Sequence, residues 1–369
     1  MSLMYKNSKF PRFPPRPARP ITRPARPPPR PAKPPPRPAR PPQVPTLPPV
    51  PTPPPAPTPP PAPTPLPRSY KVLLIGNNYC GTTNELAGCY ADIQTARSFF
   101  VDNVKAPHTL EFYELSDRRG PTKNILYGAN GRGSKANILS GITWLLKDAK
   151  EGDVLYVHYS GHGGTRKAHA PGEASGVDST WLPLDYNTAG ILVDNDLRVL
   201  LANRVPNNVT LWVTSDSCHS GTVLDLRYGY TDSSFRSLLT DDVLTDREGT
   251  WVLDDCPGEE AIEYDTRALI TSSTVTENRS YVETAGDVFL ISGCMDLQTA
   301  ADAWEEKKAQ GAMTWAFFSC LKKNIHTPIK YLVRDTRSLL TLRRYSQIPV
   351  LTSGRSINLE LSLASILKF

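Results

Sequence analysis

The fold of this chain is decided by two stretches, VLYVHYSGHGG at residues 154–164 and VTLWVTSDSCHSG at residues 209–221. Each begins with a run of apolar and β-branched residues of strand length and ends in polar residues and glycine, which indicates a buried strand followed by a loop. In a parallel α/β sheet such loops meet at the carboxyl edge of the strands, where ligands bind. The histidine of the first loop and the cysteine of the second are therefore candidates for one functional site.

The alternation of strands and helices continues on both sides of these stretches. Short apolar runs ended by loops predict further strands, and helical periodicity lies between them, which together indicate an α/β protein with a mostly parallel sheet. The predicted strands cover residues 71–75, 110–115, 154–159, 209–214, 268–272 and 349–352. The predicted helices cover residues 85–104, 135–150, 196–202, 297–307, 312–324 and 328–345.

A proline-rich tract separates the chain into two parts. The chain has 369 residues and 38 prolines, and thirty of these prolines lie between Pro11 and Pro67. Proline fixes φ and has no N–H to donate, so residues 1–69 are predicted to be a disordered prodomain of polyproline II character. Its PxxP units beside arginine suit binding by proline-recognising modules, and a solvated spacer is the equal alternative. Residues 70–369 are predicted to form the folded domain.

The charge is divided in the same way. Residues 1–69 carry twelve Lys or Arg and no Asp or Glu, whereas the rest carries 30 basic and 36 acidic residues, so the formal net charge of +6 is +12 on the first part and −6 on the second. Because the basic charge sits where no core can form, a nucleic-acid-binding fold is not indicated.

The composition predicts a soluble intracellular protein. No segment approaches the roughly 20 apolar residues that a membrane-spanning helix needs, and the first ten residues lack the apolar core of a signal peptide. The six cysteines show no CxxC pair, so neither a disulfide framework nor a zinc site is indicated. We expect a monomer in the cytoplasm, with the nucleus as the alternative compartment.

Cys218 and His162 have the chemistry of a nucleophile and its base. A cysteine attacks as the thiolate, so it needs a base or a lowered pKa, and we expect a helix beginning just after Cys218 to help. The glycines let backbone N–H groups, those of Gly163 and Cys218, face a developing oxyanion. His219 is the weaker base because adjacent side chains diverge, and His158 is expected to be a core histidine. Taken singly, a cysteine is more often inert and a loop histidine more often a surface residue.

The sequence resembles the type I metacaspases, which are caspase-fold cysteine peptidases. The segments that carry the resemblance are HYSGHGG, DSCHSG, IGNNYCGTTNELAGCYAD, ISGCMDLQTAADAW and GAMTWAFFSCL, and they span about residues 70–325. It implies a caspase-like three-layer sandwich around a six-stranded, mostly parallel sheet, with a large-subunit-like part at about 70–250 and a small-subunit-like part at about 251–369. It also implies that Cys218 is the nucleophile and His162 the general base. A proline-rich extension is typical of type I members.

Four residues are candidates for substrate binding. Side chains two apart on a strand end share a side, so Asp216 is expected beside Cys218 and Ser160 beside His162. A carboxylate close to a thiolate makes sense if it binds a cationic substrate. The resemblance implies that an acidic pocket for Arg or Lys falls on Cys89, Asp92, Ser160 and Asp216. The alternative is that the two aspartates are capping or solvated residues.

An acidic loop suggests a calcium site. Residues 173–196 contain five carboxylates and no Lys or Arg, and calcium takes six to eight oxygen ligands. The resemblance to calcium-dependent metacaspases implies that the ligands are Asp178, Asp194, Asn195 and Asp225, with calcium activating rather than catalytic. Asn195 departs from the usual aspartate, so a lower affinity is expected. A solvated acidic loop is the alternative.

The sequence thus predicts a calcium-dependent cysteine endopeptidase that cleaves protein or peptide substrates after Arg or Lys. Self-processing and a role in cell death or stress response belong to the same expectation. Another caspase-fold peptidase is the alternative within the class. The rival from a different class is a proline-rich adaptor whose caspase-like domain docks without turnover, and the intact Cys218 and His162 argue against it.

Overall fold

The computed structural model describes residues 67–167, 177–218, 220–232, 273–293, 302–305, 308–345 and 347–369. Within these ranges the helices are α1 (Cys89–Asn103), α2 (Lys135–Leu146), α3 (Tyr186–Ala189), α4 (Asp194–Leu200), α5 (Ala312–Lys323), α6 (Ile329–Leu342) and α7 (Leu363–Ile366). The strands are β1 (Ser69–Asn77), β2 (Thr109–Arg119), β3 (Ile125–Tyr127), β4 (Val154–Ser160), β5 (Gly163–Lys167), β6 (Val177–Trp181), β7 (Leu192–Val193), β8 (Thr210–Asp216), β9 (Tyr228–Asp232), β10 (Ser273–Glu277), β11 (Asp287–Ser292), β12 (Asp302–Glu305), β13 (Lys308–Gly311) and β14 (Val350–Ser353). Residues 1–66 of the predicted tail and the predicted boundary near residue 250 lie outside the described residues.

Nine of these strands form one sheet, in the order β10-β9-β14-β11-β8-β4-β1-β2-β3. Strands β2, β1, β4, β8 and β11 are parallel neighbours, whereas β14, β9, β10 and β3 pair antiparallel at the two sides. The predicted α/β class with a mostly parallel sheet is confirmed. The resemblance implies six strands, whereas this sheet has nine, because the short strands β3, β9 and β10 extend it at its two sides.

Helices cover both faces of the sheet, which confirms the three-layer sandwich. Strand β1 serves both faces because successive side chains point to opposite sides. Its Tyr70, Val72 and Leu74 pack with residues of α1, α5 and α6 in one core. Its Leu73 and Ile75 pack with residues of α2 and α4 in the other. The two cores fix the direction in which each strand end presents its loop.

Helix α5 brings a distant part of the chain to the carboxyl edge of the sheet. Nine of its twelve residues are buried, so packing rather than an exposed polar face holds it in place. Gln310, just before α5, lies against Gly88, just before α1. A Cβ on Gly88 would be 2.5 Å from the Cα atom of Gln310, so this approach requires glycine.

Two predicted elements differ from the structure. The apolar run Asp287–Ser292 forms the central strand β11, which the sequence patterns did not single out. Residues 302–305 form β12 and not the predicted helix 297–307. They pair antiparallel with the nearby strand β13, and this hairpin pairing overrides the helix propensity of the alanine-rich segment. The strand predicted at 268–272 lies outside the described residues. Among the helices that the structure describes, none is both long and apolar enough to cross a membrane.

Candidate active site

The loops that carry His162 and Cys218 lie side by side. Strands β4 and β8 pair in parallel with Ser160 opposite Asp216, so their following loops start at the same level of the sheet. A Cβ atom on Gly163 would collide with the carbonyl oxygen of Cys218 and lie 3.1 Å from the Cβ atom of Ser217. The two loops can approach this closely only because residue 163 is glycine.

The imidazole of His162 is oriented by a backbone carbonyl. Its Nε2 atom lies 2.7 Å from the carbonyl oxygen of Asn84. A carbonyl oxygen only accepts hydrogen bonds, so Nε2 carries the proton of the neutral ring and the lone pair is on Nδ1. Nδ1 is therefore the atom of His162 that can act as a base.

The other histidine of the β4 stretch is structural. His158 is fully buried, and its ring nitrogens lie 3.2 Å from the Tyr156 hydroxyl and 3.4 Å from the Thr314 hydroxyl. Burial lowers the pKa of His158 to about 3, so the ring is neutral near pH 7. The prediction that His158 is a core histidine is confirmed.

Cys218 is half-buried at the end of the β8 loop. Residues 221–224 after it form turns, so the prediction of a helix just after Cys218 is wrong. The reason is local: the Ser220 hydroxyl donates to the carbonyl oxygen of Ser217 at 2.8 Å, a hydroxyl-to-backbone bond of the kind that competes with a helix start. His219 lies outside the described residues.

Asp92, Ser160 and Asp216 come together at the start of α5. The Ser160 hydroxyl donates to Asp92 Oδ2 at 2.5 Å, and the N–H of Gly311 donates to Asp92 Oδ1 at 2.8 Å. The N–H of Thr314 donates to Asp216 Oδ2 at 2.8 Å. A Cβ on Gly311 would collide with the Asp216 carboxylate and lie 2.8 Å from Asp92 Oδ2, so the two carboxylates flank this glycine.

The two buried carboxylates thus stabilise the positive end of the α5 dipole. Capping was the alternative to an acidic pocket in the sequence analysis. The two roles are compatible, because the aspartates lie close together and also bind the start of α5. Cys89, the fourth residue of the predicted pocket, is the first residue of α1 and is buried on the same helix face as Asp92.

Residues next to the predicted calcium ligands contact one another. Asp194 begins α4, next to β7, and its Oδ2 accepts the N–H of Ser179 on β6 at 2.5 Å. The Ser179 hydroxyl lies 3.3 Å from that of Thr222, in the segment that leads to Asp225. Asn195 follows Asp194 and is half-buried. Three elements and the segment after Cys218 therefore converge here.

Cationic side chains accompany two of these acids. Arg166 forms an ion pair with the buried Asp178 at 2.9 Å, and the other oxygen, Oδ1, has no hydrogen-bond partner among the described residues. Arg198 donates to the carbonyl oxygen of Asp225. Burial lowers the pKa of Arg198, and Asp225 opposes this shift. Within the described residues, no group of three or more His, Cys, Asp or Glu side chains is arranged to hold a metal ion.

Several residues at this edge were not predicted from the sequence. Tyr79, whose ring lies 4.6 Å from that of His162, and Asn84 follow β1, and Gly311 and Thr314 belong to the start of α5. Reading the residues directly after β1 in the same way as those after β4 and β8 would have drawn attention to Tyr79.

Comparisons with known proteins agree with this architecture. The family model for the metacaspase, peptidase C14 domain matches residues 70–227. Metacaspase-1 of Mycosarcoma maydis is 33% identical over 306 residues, which cover 79% of this chain and 72% of that protein. Metacaspase-1 of Scheffersomyces stipitis is 34% identical over 295 residues, which cover 76% of this chain and 70% of that protein. The chain therefore belongs to the metacaspases, the caspase-fold cysteine-type endopeptidases, and within them to type I.

Proposed function

We propose that this endopeptidase works through a dyad of Cys218 and His162, cleaves after Arg or Lys and is activated by calcium. The observation that supports the dyad is the contact between the two loops at Gly163 and the Cys218 carbonyl. The hydrogen bond from Nε2 to Asn84 supports His162 as the base, because it leaves Nδ1 to exchange a proton with the thiol.

The reaction follows from these groups. Nδ1 of His162 takes the proton of the Cys218 thiol, and the sulfur attacks the scissile carbonyl carbon. The backbone N–H groups of Gly163 and Cys218 stabilise the oxyanion. The intermediate collapses to a thioester, and the C–N bond breaks as His162 returns its proton to the leaving amine. Water then attacks the thioester while His162 accepts the water proton, and the free acid and the thiol are released.

The buried acidic pair supports specificity for Arg or Lys. Asp92 and Asp216 are 0% and 5% exposed, and the cost of burying two like charges is offset when a cation binds between them. Asp92 accepts the N–H of Gly311 and the Ser160 hydroxyl, and Asp216 accepts the N–H of Thr314, so these hydrogen bonds come from neutral donors. A guanidinium offers a carboxylate two parallel N–H groups, which favours Arg over an uncharged side chain.

One feature of the predicted ligand set supports calcium binding. Asp178, Asp194, Asn195 and Asp225 would hold the ion, and the orphaned buried Oδ1 atom of Asp178 supports this assignment. Bound calcium would supply positive charge to these oxygen ligands and order the segment carrying Asp225. No step of the reaction above uses the ion.

The test is turnover of fluorogenic peptides that differ only in Arg or Asp before the scissile bond, with calcium or with excess chelator. Arg turnover that needs calcium, is lost in Cys218→Ala and in His162→Ala, and survives in His219→Ala is the expected result. A preference for the Asp peptide contradicts the acidic pocket. A His219→Ala defect larger than that of His162→Ala contradicts the dyad.

A further inference from the structure

Tyr79, directly after β1, has a backbone conformation that is rare for its residue type. Its φ is 53°, in the left-handed region that residues other than glycine seldom adopt. A single carboxylate binds the N–H groups of the residues on both sides of it. Asp117 of β2 accepts the N–H of Asn78 at Oδ1 and the N–H of Cys80 at Oδ2, both at 2.6 Å. Asp117 is itself buried, so both hydrogen bonds are shielded from water.

This conformation directs the Tyr79 side chain to His162. The Tyr79 hydroxyl accepts the backbone N–H of His162 at 3.0 Å and donates to the carbonyl oxygen of Leu182. Its ring centre lies 4.6 Å from that of the imidazole, with the planes tilted by 42°. Burial raises the pKa of Tyr79, so the phenol stays protonated and keeps its donor.

A second tyrosine completes the hold on the His162 backbone. The Tyr159 hydroxyl donates to the carbonyl oxygen of His162 at 2.7 Å and accepts the N–H of Leu182 at 3.0 Å. The N–H and the C=O of His162 are therefore both bonded to buried tyrosine hydroxyls. With its backbone held in this way, the imidazole of His162 can move only by rotation about its side-chain torsions.

The loop after Tyr79 fixes those torsions as well. Its turn is closed by the N–H of Thr82, which donates to the Tyr79 carbonyl at 3.1 Å, and it continues to Asn84, whose carbonyl lies 2.7 Å from His162 Nε2. One segment thus contacts the backbone, the ring face and the distal nitrogen of the same histidine.

We propose that Tyr79, held in its left-handed conformation by Asp117, is a positioning residue for His162. This inference rests on the proposed dyad. Tyr79 contacts the backbone and the ring of His162, and it acts by keeping Nδ1 aligned with the sulfur. A misaligned base slows proton transfer but leaves the acidic pocket intact, so the effect falls on kcat rather than KM.

Tyr79→Phe and Asp117→Asn are the informative variants. Tyr79→Phe keeps the ring and removes the hydroxyl, and Asp117→Asn leaves one amide oxygen for two N–H donors. Tyr70→Phe is the matched control, because the Tyr70 hydroxyl also bonds backbone carbonyls, at 2.8 and 3.0 Å, but at the other end of β1. Thermal melting tests whether each variant is folded. If Asp117→Asn is unfolded, the kinetics of Tyr79→Phe alone decide whether Tyr79 positions His162.

The measurements are kcat, KM and the pH dependence of inactivation by iodoacetamide. We expect each variant to lower kcat about tenfold or more with KM within about twofold, and to move the midpoint of inactivation to higher pH. The double variant should be no slower than the slower single variant, since both remove one arrangement. Tyr70→Phe should match the wild type.

The failures of this inference and of the dyad are distinguishable. Unchanged kcat in Tyr79→Phe, or losses that multiply in the double variant, overturn the positioning role while His162→Ala is inactive. An active His162→Ala overturns the dyad itself, and the positioning role with it.

Discussion

Gly163 and Cys218 are in contact across the candidate site, with the Cα atom of the glycine so close to the cysteine carbonyl that no side chain fits between them. His162 and Cys218, the proposed base and nucleophile, are carried by loops from different strands, and this contact sets the distance between the loops. A substitution at residue 163 is therefore expected to change the distance between His162 and Cys218.

Gly163→Ala should lower kcat by about a hundredfold, because the added methyl group pushes the two loops apart and a displacement of about 1 Å has that cost. Gly164→Ala is the control, since a Cβ there would meet only the Thr180 hydroxyl oxygen at 3.4 Å and a Leu182 side-chain carbon at 3.6 Å. Steady-state kinetics on an Arg peptide decide the matter. Equal kcat values for Gly163→Ala and Gly164→Ala would show that this contact does not determine the relative positions of His162 and Cys218.

Asp216→Asn should lower kcat/KM for an Arg peptide by at least about tenfold, because a charge that faces the substrate cation is lost. Asp153→Asn is the matched control: Asp153 is also buried and also accepts backbone N–H groups, from Ser69 and Lys150. The kcat/KM for a peptide with a neutral side chain before the scissile bond measures any loss of activity that comes from a changed fold rather than from the lost charge. An equal loss on both peptides would leave Asp216 with its capping role only.

Asn195→Asp should shift calcium activation to a lower concentration, because a carboxylate adds the charge that the amide lacks. Asp225→Ala should flatten the activation curve. Asp196→Asn is the control, because Asp196 neighbours Asn195 but is exposed. Activity titrated against free calcium provides the measurement, and identical curves for Asn195→Asp and the wild type would argue against the predicted ligand set.

The buried His158 should make the fold sensitive to acid. Its pKa is lowered to about 3 in the folded chain by burial, against an ordinary value of 6.5, so the unfolded chain binds the additional proton between these values. Stability is therefore lost as pH falls below about 6.5, by about 2 kcal/mol between pH 7 and pH 5. Urea unfolding of His158→Gln should show a correspondingly weaker loss over this range. Parallel pH profiles for the two proteins would contradict the assignment.

The sequence predicted those parts of the fold that depend on local pattern. The long apolar runs of β1, β4 and β8 marked their strands. Two-residue alternation led us to expect Ser160 beside His162 and Asp216 beside Cys218, which stays a prediction. The segment Asp287–Ser292 was not predicted, although its six residues match the length of the strands predicted at 154–159 and 209–214. The partners of Asp92 and Asp216 were beyond local pattern, since Gly311 and Thr314 are 219 and 98 residues away and only packing of α5 brings them there.

That separation along the chain imposes an order on synthesis. His162 and Cys218 leave the ribosome before Thr314, which lies 96 residues after Cys218. At a translation rate of about 5–20 residues per second, roughly 5–20 s pass between the synthesis of Cys218 and that of the start of α5. During this interval Asp92 and Asp216 lack the N–H groups that they bind in the finished fold. The proposed acidic pocket is therefore completed late in translation, after Cys218, the proposed nucleophile, has been made.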